Sequence, residues 1–141
     1  MNDPYDLGRF AAAQDAGGTY QQATAELRGG RKTGHWMWFV FPQIAGLGYS
    51  QMSRRYAISS LPEARAYLAH PVLGPRLIEC ATIVAQTQGR TAEQIFGGID
   101  AMKLHSCVTL FLRAGPDEAV FGDVLARYFD GQPDAATDER I

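Results

Sequence analysis

Aromatic and polar side chains cluster between positions 31 and 43. His35 is followed by Trp36 and Trp38, which are the only tryptophans of the chain, and Gln43 comes shortly afterwards. Aromatic faces can stack on a planar ring, and a glutamine amide can both donate and accept hydrogen bonds. With Arg31 and Lys32 just upstream, the pattern favours a pocket for a planar, anionic ligand. The alternative interpretation is that the large aromatic residues belong to the hydrophobic core.

A second group, Asp100, Lys103 and Ser106, is spaced at intervals of three residues, so its members share one side of a helix. A lysine beside a serine can activate the hydroxyl as a nucleophile. Each residue also has a structural interpretation. Asp100 would be a helix N-cap, Lys103 its ion-pair partner, and Ser106 a donor to a carbonyl one turn earlier.

A glycine-containing loop at 46–50 precedes a short helix predicted over 52–57, which carries Arg54 and Arg55. Backbone amides at such a loop can bind an anion. The loop lacks the glycine spacing of known phosphate-binding motifs, so an ordinary tight turn is the competing interpretation.

The sequence contains no metal-binding pattern, because none of its three histidines has ligand spacing. We therefore predict no metal site and no cofactor. The glutamates that we considered for acid–base chemistry are predicted to lie on exposed faces, without a carboxylate partner: Glu26, Glu63, Glu79 and Glu93. Whether the protein is an enzyme stays open.

Composition limits the class of protein. The chain has 141 residues, of which 46% are hydrophobic and 20% charged, as expected for one globular domain. Its net charge of −2 does not favour nucleic acid as a partner. No apolar run is long enough to cross a membrane. Two cysteines without a paired motif, Cys80 and Cys107, favour a reducing, cytoplasmic setting.

Hydrophobic periodicity predicts helices almost throughout, ended by glycine or proline. Ser60 is predicted to cap one helix, and Thr91 with Gln94 to form a capping box at another. Asp117 is predicted to cap the last helix. We predict an all-α, multihelical single domain over 1–141, with about seven helices and at most one minor extended segment. Its ordered core is placed at about 5–131, followed by a loosely held polar tail at 132–141.

Three long stretches resemble a known family. They are the run from His35 to Gln43 (HWMWFVFPQ), the run from Tyr67 to Leu77 (YLAHPVLGPRL) and the run from Ile95 to Ser106 (IFGGIDAMKLHS). Together they resemble a bacterial and fungal family of small proteins of unknown function, often mislabelled "calpastatin". The resemblance spans nearly the whole chain and implies a compact, mostly helical fold, of which a mycobacterial member is the structural type. It implies no activity and no functional residues. Calpastatin-type inhibitors are disordered repeats, so that label does not suit an unrepeated globular chain.

Three functional hypotheses follow. The first is a domain or enzyme that binds a small anionic, planar, nucleotide-like ligand, and it requires positions 35–43 and 100–106 to meet at one cleft. The second is a non-catalytic interaction module with Trp36 to Phe41 exposed, and the third assigns that stretch to the core. The oligomeric state is not predicted. The candidate ligand-binding residues are Arg31, Lys32, His35, Trp36, Trp38, Gln43, Lys103 and Ser106.

Overall fold

The computed structural model describes residues 3–141, so the first two residues of the predicted domain lie outside the described part. The α-helices in that part are, in chain order, α1 (Gly8–Asp15), α2 (Thr19–Arg28), α3 (Met37–Val40), α4 (Gln51–Arg55), α5 (Leu61–Ala69), α6 (Leu73–Gln86), α7 (Ala92–Phe96), α8 (Gly98–Ala114), α9 (Ala119–Tyr128) and α10 (Ala135–Asp138). A 3-10 turn, Ala16–Gly18, separates α1 from α2. The predicted all-α class is confirmed.

Several helix starts follow from local hydrogen bonding as predicted. The Ser60 hydroxyl accepts from the Glu63 amide at 3.3 Å and caps α5. Thr91 and Gln94 form the reciprocal capping box of α7. These polar residues satisfy backbone N–H groups that have no partner within the helix.

Two predicted N-caps are wrong. Helix α8 begins at Gly98 with Gly97 as its N-cap, and α9 begins after Glu118 rather than Asp117. Gly97 has a φ of +81°, a conformation that glycine adopts without steric cost. The chain therefore turns from α7 into α8 within one residue. Asp100 consequently lies inside the first turn of α8, where its carboxylate is available to other side chains.

Helix α8 lies at the centre of the molecule and packs against α5, α7, α9 and α10. Its side chains Leu104, Cys107, Val108 and Phe111 are fully buried. Helix α6 packs against α2, α5 and α9 and completes the core. Since α8 is held on several sides, residues in its first two turns project from a rigid support.

Within the segment 35–43, one helical turn is followed by non-helical backbone. Helix α3 is a single turn, after which Phe41 and Pro42 leave the helix. The chain then forms one isolated parallel bridge between Ile44 and Ile58, in which the Ile58 amide donates to the Gln43 carbonyl at 2.9 Å. The prediction of an all-α domain allowed for one minor extended segment but did not place it in the chain.

The C-terminal segment is folded onto the molecule, and the prediction of a loosely held tail is wrong. Asp134 caps α10, and the side chain of Thr137 is completely buried. The Arg113 guanidinium binds Asp138 at 2.9 Å and attaches the segment to α8. Polar contacts position this segment, so hydrophobic periodicity did not reveal it.

No helix in residues 3–141 is long and apolar enough to cross a membrane.

Candidate functional site

The carboxylate of Asp100 lies between two lysines. Its Oδ2 is 2.8 Å from the Lys32 ammonium, and its Oδ1 is 3.4 Å from the Lys103 ammonium. These are the only lysines in the sequence. Their side chains are only 7% and 18% exposed, so solvent screens them weakly. Two cations share one anion, which leaves the group with a net charge of about +1.

Each lysine also lies over a tryptophan ring. The Lys32 ammonium is 5.0 Å from the centroid of Trp36, and the Lys103 ammonium is 4.8 Å from that of Trp38. Such cation–π contacts favour a cation over the face of an indole ring. Both lysines and both tryptophans of the chain therefore surround Asp100.

The loop that carries Lys32 is anchored by Glu26 of α2. One oxygen of Glu26 accepts hydrogen bonds from the amides of Thr33 and Gly34 at 2.7 and 2.8 Å and from the Trp36 indole at 3.0 Å. Burial alone raises the pKa of Glu26, but these donors outweigh burial and lower the pKa to about 2. Glu26 was predicted to be an exposed residue, and the structure shows it to be the anchor of this loop.

A cavity of about 370 Å³ opens between this loop and the start of α8. We call it the basic pocket, because Lys32 and His35 both line it. Its lining residues are Lys32, His35, Met37, Trp38, Phe96 and the segment Gly97–Asp100. The amides of the first turn of α8 have no intrahelical acceptor and add positive potential here.

A neighbouring cavity of about 530 Å³, which we call the apolar pocket, lies between α8, the 47–50 loop and the C-terminal segment. Three of its side chains are large, apolar and strongly exposed: Tyr49 (82%), Ile99 (75%) and Met102 (72%). Ile99 lines both pockets. Lys103 of the apolar pocket lies over Trp38 of the basic pocket, so the two cavities are adjacent, and together we call them the cleft.

The comparisons with known proteins place this chain in a family. The family described as "Protein of unknown function (DUF1810)" matches residues 4–141. The chain belongs to the DUF1810 family. The crystal structure of the conserved hypothetical protein Rv1873 from Mycobacterium tuberculosis is similar to it, with a TM-score of 0.94 and 53% sequence identity. That similarity covers 97% of this chain and 96% of the mycobacterial chain. No curated protein matches the chain.

Six of the eight candidate residues of this DUF1810 protein line the cleft. Lys32, His35 and Trp38 line the basic pocket, whereas Gln43, Lys103 and Ser106 line the apolar pocket. The two stretches that the ligand hypothesis required to meet do meet, at the contact between Trp38 and Lys103.

Arg31 and Trp36 line neither pocket. Trp36 is only 1% exposed and packs against Phe41, so it is a core residue. Phe39 and Phe41 are buried as well. The hypothesis that Trp36 to Phe41 forms an exposed stripe for a protein partner is therefore wrong. Trp38 alone among the aromatic side chains of this stretch is half-buried and reaches the cleft.

Ser106 does not pair with Lys103. Its hydroxyl lies 3.1 Å from the Met102 carbonyl, which confirms the bond to the preceding turn, and 3.1 Å from a carboxylate oxygen of Asp134. The Lys103 ammonium is directed instead to Asp100 and Trp38. This geometry gives Ser106 a structural role rather than that of a nucleophile.

The loop at 46–50 contributes apolar surface to the cleft. Ser50 caps α4 by accepting from the Ser53 amide, while Tyr49 faces the apolar pocket. Arg54 and Arg55 do not line that pocket, and Arg55 lies over the ring of Tyr56 at 5.5 Å. The arrangement does not resemble the anion-binding loop considered from the sequence.

Two other polar residues considered from the sequence have structural partners. His70 Nδ1 accepts from the Val72 and Leu73 amides at the start of α6. Glu63, predicted to be exposed, is buried and binds Arg9 at 3.2 Å. Among residues 3–141, no group of three histidine, cysteine or acidic side chains is placed to hold a metal ion.

Sequence reasoning missed two features of the site. The first is that lysine occurs only twice in a chain with 13 lysines and arginines, and that both lysines bind the same carboxylate, Asp100. The second is the group of exposed apolar side chains, Tyr49, Ile99 and Met102. The scarcity of lysine was a signal in the sequence, whereas the exposure of these three residues emerges only from the fold.

Proposed function

We propose that this protein binds a small, planar, anionic ligand of nucleotide-like chemistry in the cleft formed by the basic and apolar pockets. The observation that carries the proposal is the sharing of one carboxylate, Asp100, by the ammonium groups of Lys32 and Lys103 beside Trp38. Two poorly solvated cations share only one counter-ion here, so a second anion would balance the remaining positive charge.

Hydrogen-bond counting supports the same function. Each ammonium has three N–H donors. The Lys32 ammonium donates one of them to the Gly34 carbonyl, and each ammonium also forms an ion pair with the Asp100 carboxylate. Donors therefore remain on both lysines for the oxygens of a ligand. The half-buried ring of Trp38 offers a face next to them.

The dimensions of the cleft suit a small molecule. The two cavities, of about 370 and 530 Å³, fall in the size range of small-molecule sites. The two lysines place positive charge at the cleft, although the whole chain carries −2. A local positive site on a negatively charged protein favours a small anion over nucleic acid. We propose binding without a chemical step, because Ser106 has only structural partners.

We also propose a reducing, cytoplasmic setting. Cys80 and Cys107 are both free thiols buried in the core, where cysteine serves as a small apolar residue.

Thermal unfolding in the presence of nucleotides tests the proposed function. AMP, ADP and ADP-ribose are added at millimolar concentration to the wild type, to Lys103→Met and to the control Arg65→Met, whose exposed arginine lies on α5 outside the cleft. A ligand at ten times its Kd stabilises the folded state by about 1.4 kcal/mol, a Tm increase of roughly 4–7 °C for a chain of this length. We expect this increase in the wild type and the control, and a loss of most of it in Lys103→Met. An unchanged Tm with every nucleotide, or an equal increase in all three proteins, contradicts the proposal.

A further inference from the structure

We propose that the cleft binds the two ends of its ligand separately, with a phosphate group in the basic pocket and a planar, uncharged aromatic ring in the apolar pocket. The ligand class is then a phosphate ester of an aromatic group, such as a nucleoside monophosphate. This inference rests on the proposed function and adds the orientation of the ligand.

The basic pocket has the charge that a phosphate needs. Lys32 and His35 line it, and its one acidic lining residue, Asp100, is already bound by both lysines. A phosphate oxygen that enters this pocket meets the Lys32 ammonium without an unpaired carboxylate nearby.

The apolar pocket excludes a phosphate. Asp134 lines it, and its Oδ2 accepts from the Thr137 amide at 3.2 Å and the Thr137 hydroxyl at 2.6 Å. These donors are neutral, so they do not cancel the charge of the carboxylate. Repulsion between Asp134 and a phosphate therefore directs the charged end of the ligand to the basic pocket.

The apolar pocket instead presents surface on which a ring can pack. Tyr49, Ile99 and Met102 expose most of their area to solvent, and a ring that covers them removes this area from water. A tyrosine face adds stacking. The Gln43 amide and the Asp134 carboxylate line the same pocket and can bind amino or carbonyl groups at the edge of a base.

The two pockets are close enough for one molecule to fill both. Ile99 lines each of them, and the Lys103 ammonium stands at their junction, over Trp38. Lys103 is therefore placed to contact the linker between the ring and the phosphate. The opposite orientation would place the phosphate beside the Asp134 carboxylate, which repels it, and would leave the Lys32 ammonium without an anion from the ligand.

Calorimetric titration with three probes separates the two ends of the ligand. The probes are AMP, adenosine and inorganic phosphate. Two variants address the basic pocket, Lys32→Met and His35→Glu. Loss of the buried Lys32 side chain can destabilise the first variant. Because His35 is exposed, the second variant is expected to stay folded. Tyr49→Ala addresses the apolar pocket, with Val72→Ala as a control at an exposed apolar residue elsewhere.

We expect wild-type protein to bind AMP at least ten times more tightly than either adenosine or phosphate. His35→Glu should weaken AMP and phosphate about ten-fold and leave adenosine unchanged. Tyr49→Ala should weaken AMP and adenosine about ten-fold and leave phosphate unchanged, since stacking is lost. Val72→Ala should match the wild type.

The outcomes distinguish this inference from the proposed function. If AMP binds and His35→Glu weakens it while Tyr49→Ala does not, the division of the cleft is wrong but the anion site stands. If Tyr49→Ala weakens phosphate as much as AMP, the orientation is likewise overturned. If no probe binds the wild type, both the inference and the proposed function fail.

Discussion

Glu26 determines the position of the loop that carries Lys32 and His35. Its carboxylate accepts from two loop amides and from the Trp36 indole, and these bonds lower its pKa to about 2 from an ordinary value of 4.5. A carboxyl group with a lowered pKa in the folded state stabilises that state above its unfolded pKa. The stabilisation is therefore complete above about pH 4.5 and is lost as the pH falls towards 2.

We expect Glu26→Gln to lower the free energy of unfolding by about 1–3 kcal/mol at pH 7, because the charged acceptor of two loop amides and of the Trp36 indole is removed. The difference from the wild type should shrink between pH 4.5 and 2, as measured by urea unfolding at a series of pH values. Glu93→Gln, at an exposed glutamate of α7, is the matched control and should show little effect. A difference that stays constant down to pH 2 would show that ionised Glu26 does not hold the loop.

The two tryptophans have different roles despite their proximity in the sequence. Trp36 is buried and bonded to Glu26, whereas Trp38 is half-buried at the cleft. Trp36→Ala should cost about 3–5 kcal/mol of folding free energy, as is usual for a buried large aromatic residue. Trp38→Ala should cost clearly less folding free energy. We expect AMP to quench tryptophan fluorescence in the wild type, and Trp38→Ala should abolish this quenching. Equal stability losses in the two variants would contradict this assignment.

At the scale of elements, the close approach of α5 and α6 depends on a glycine. A Cβ atom at Gly74 would lie 2.1 Å from the Leu68 carbonyl oxygen, which is backbone and cannot move aside. At Gly122, in the interior of α9, a Cβ atom would meet no atom within 4 Å apart from its chain neighbours and the backbone of its own helix.

We expect Gly74→Ala to lower the Tm strongly, with a cost of at least about 1–3 kcal/mol from overpacking. Gly122→Ala is the matched substitution and should be neutral or stabilise by about 0.5–1 kcal/mol, because alanine is the better helix former. Both are measured by thermal unfolding. Similar Tm values for the two variants would mean that α5 and α6 are not packed as closely as described.

The C-terminal segment is the element on which the wall of the apolar pocket depends. Asp134 caps α10, and its carboxylate also accepts a hydrogen bond from the Ser106 hydroxyl. Its backbone amide donates to the Thr109 hydroxyl at 2.8 Å. Asp134→Ala should cost about 1–3 kcal/mol, from the lost cap and the unpaired buried partners. Asp138→Asn, which removes only a surface ion pair with Arg113, should cost less than about 1 kcal/mol. Hydrogen exchange of residues 132–141 should rise in the first variant, and unchanged exchange there would contradict the role of Asp134.

The sequence predicts elements well where the signal is local. Ser60 and the Thr91–Gln94 pair mark the starts of α5 and α7, because a cap is a contact between neighbours in the chain. The sequence does not predict the role of a residue that is determined by a tertiary contact. Asp100 has the residue type of an N-cap, yet its carboxylate binds Lys32, which is distant in sequence. The 132–141 segment is polar, yet hydrogen bonds hold it on α8, and hydrophobic periodicity cannot predict such bonds.

At the scale of the whole molecule, α8 brings the distant parts of the cleft together. Its first turn contacts the loop of Lys32, and its second turn, with Lys103, faces Trp38. The aromatic and polar candidates could be recognised from the sequence by residue type. The sequence does not show which of these candidates line the cleft, as Trp38 does, and which lie in the core, as Trp36 does. That depends on the direction in which each side chain of α3 points, and a helix of four residues is too short for hydrophobic periodicity to predict it.

A second concave surface provides an internal comparison. A polar groove of about 410 Å³ is lined on one side by Arg28–Gly30 and on the other by Ile83, Gln86, Thr87, Gln88 and Arg90. It also contains arginines, but it has neither an aromatic face nor a buried cation pair. We therefore expect an anionic, planar ligand to prefer the cleft at α8.

The central claim is that this cleft, and no other surface, binds such a ligand. The most direct test is a titration of ¹⁵N-labelled protein with AMP, followed by two-dimensional amide NMR. The largest shifts are expected at the Trp38 indole and at the amides of Gly97, Gly98 and Lys103, with little change at Arg90. Shifts confined to the groove of Arg28 and Arg90, or a spectrum unchanged at millimolar AMP, would contradict the claim.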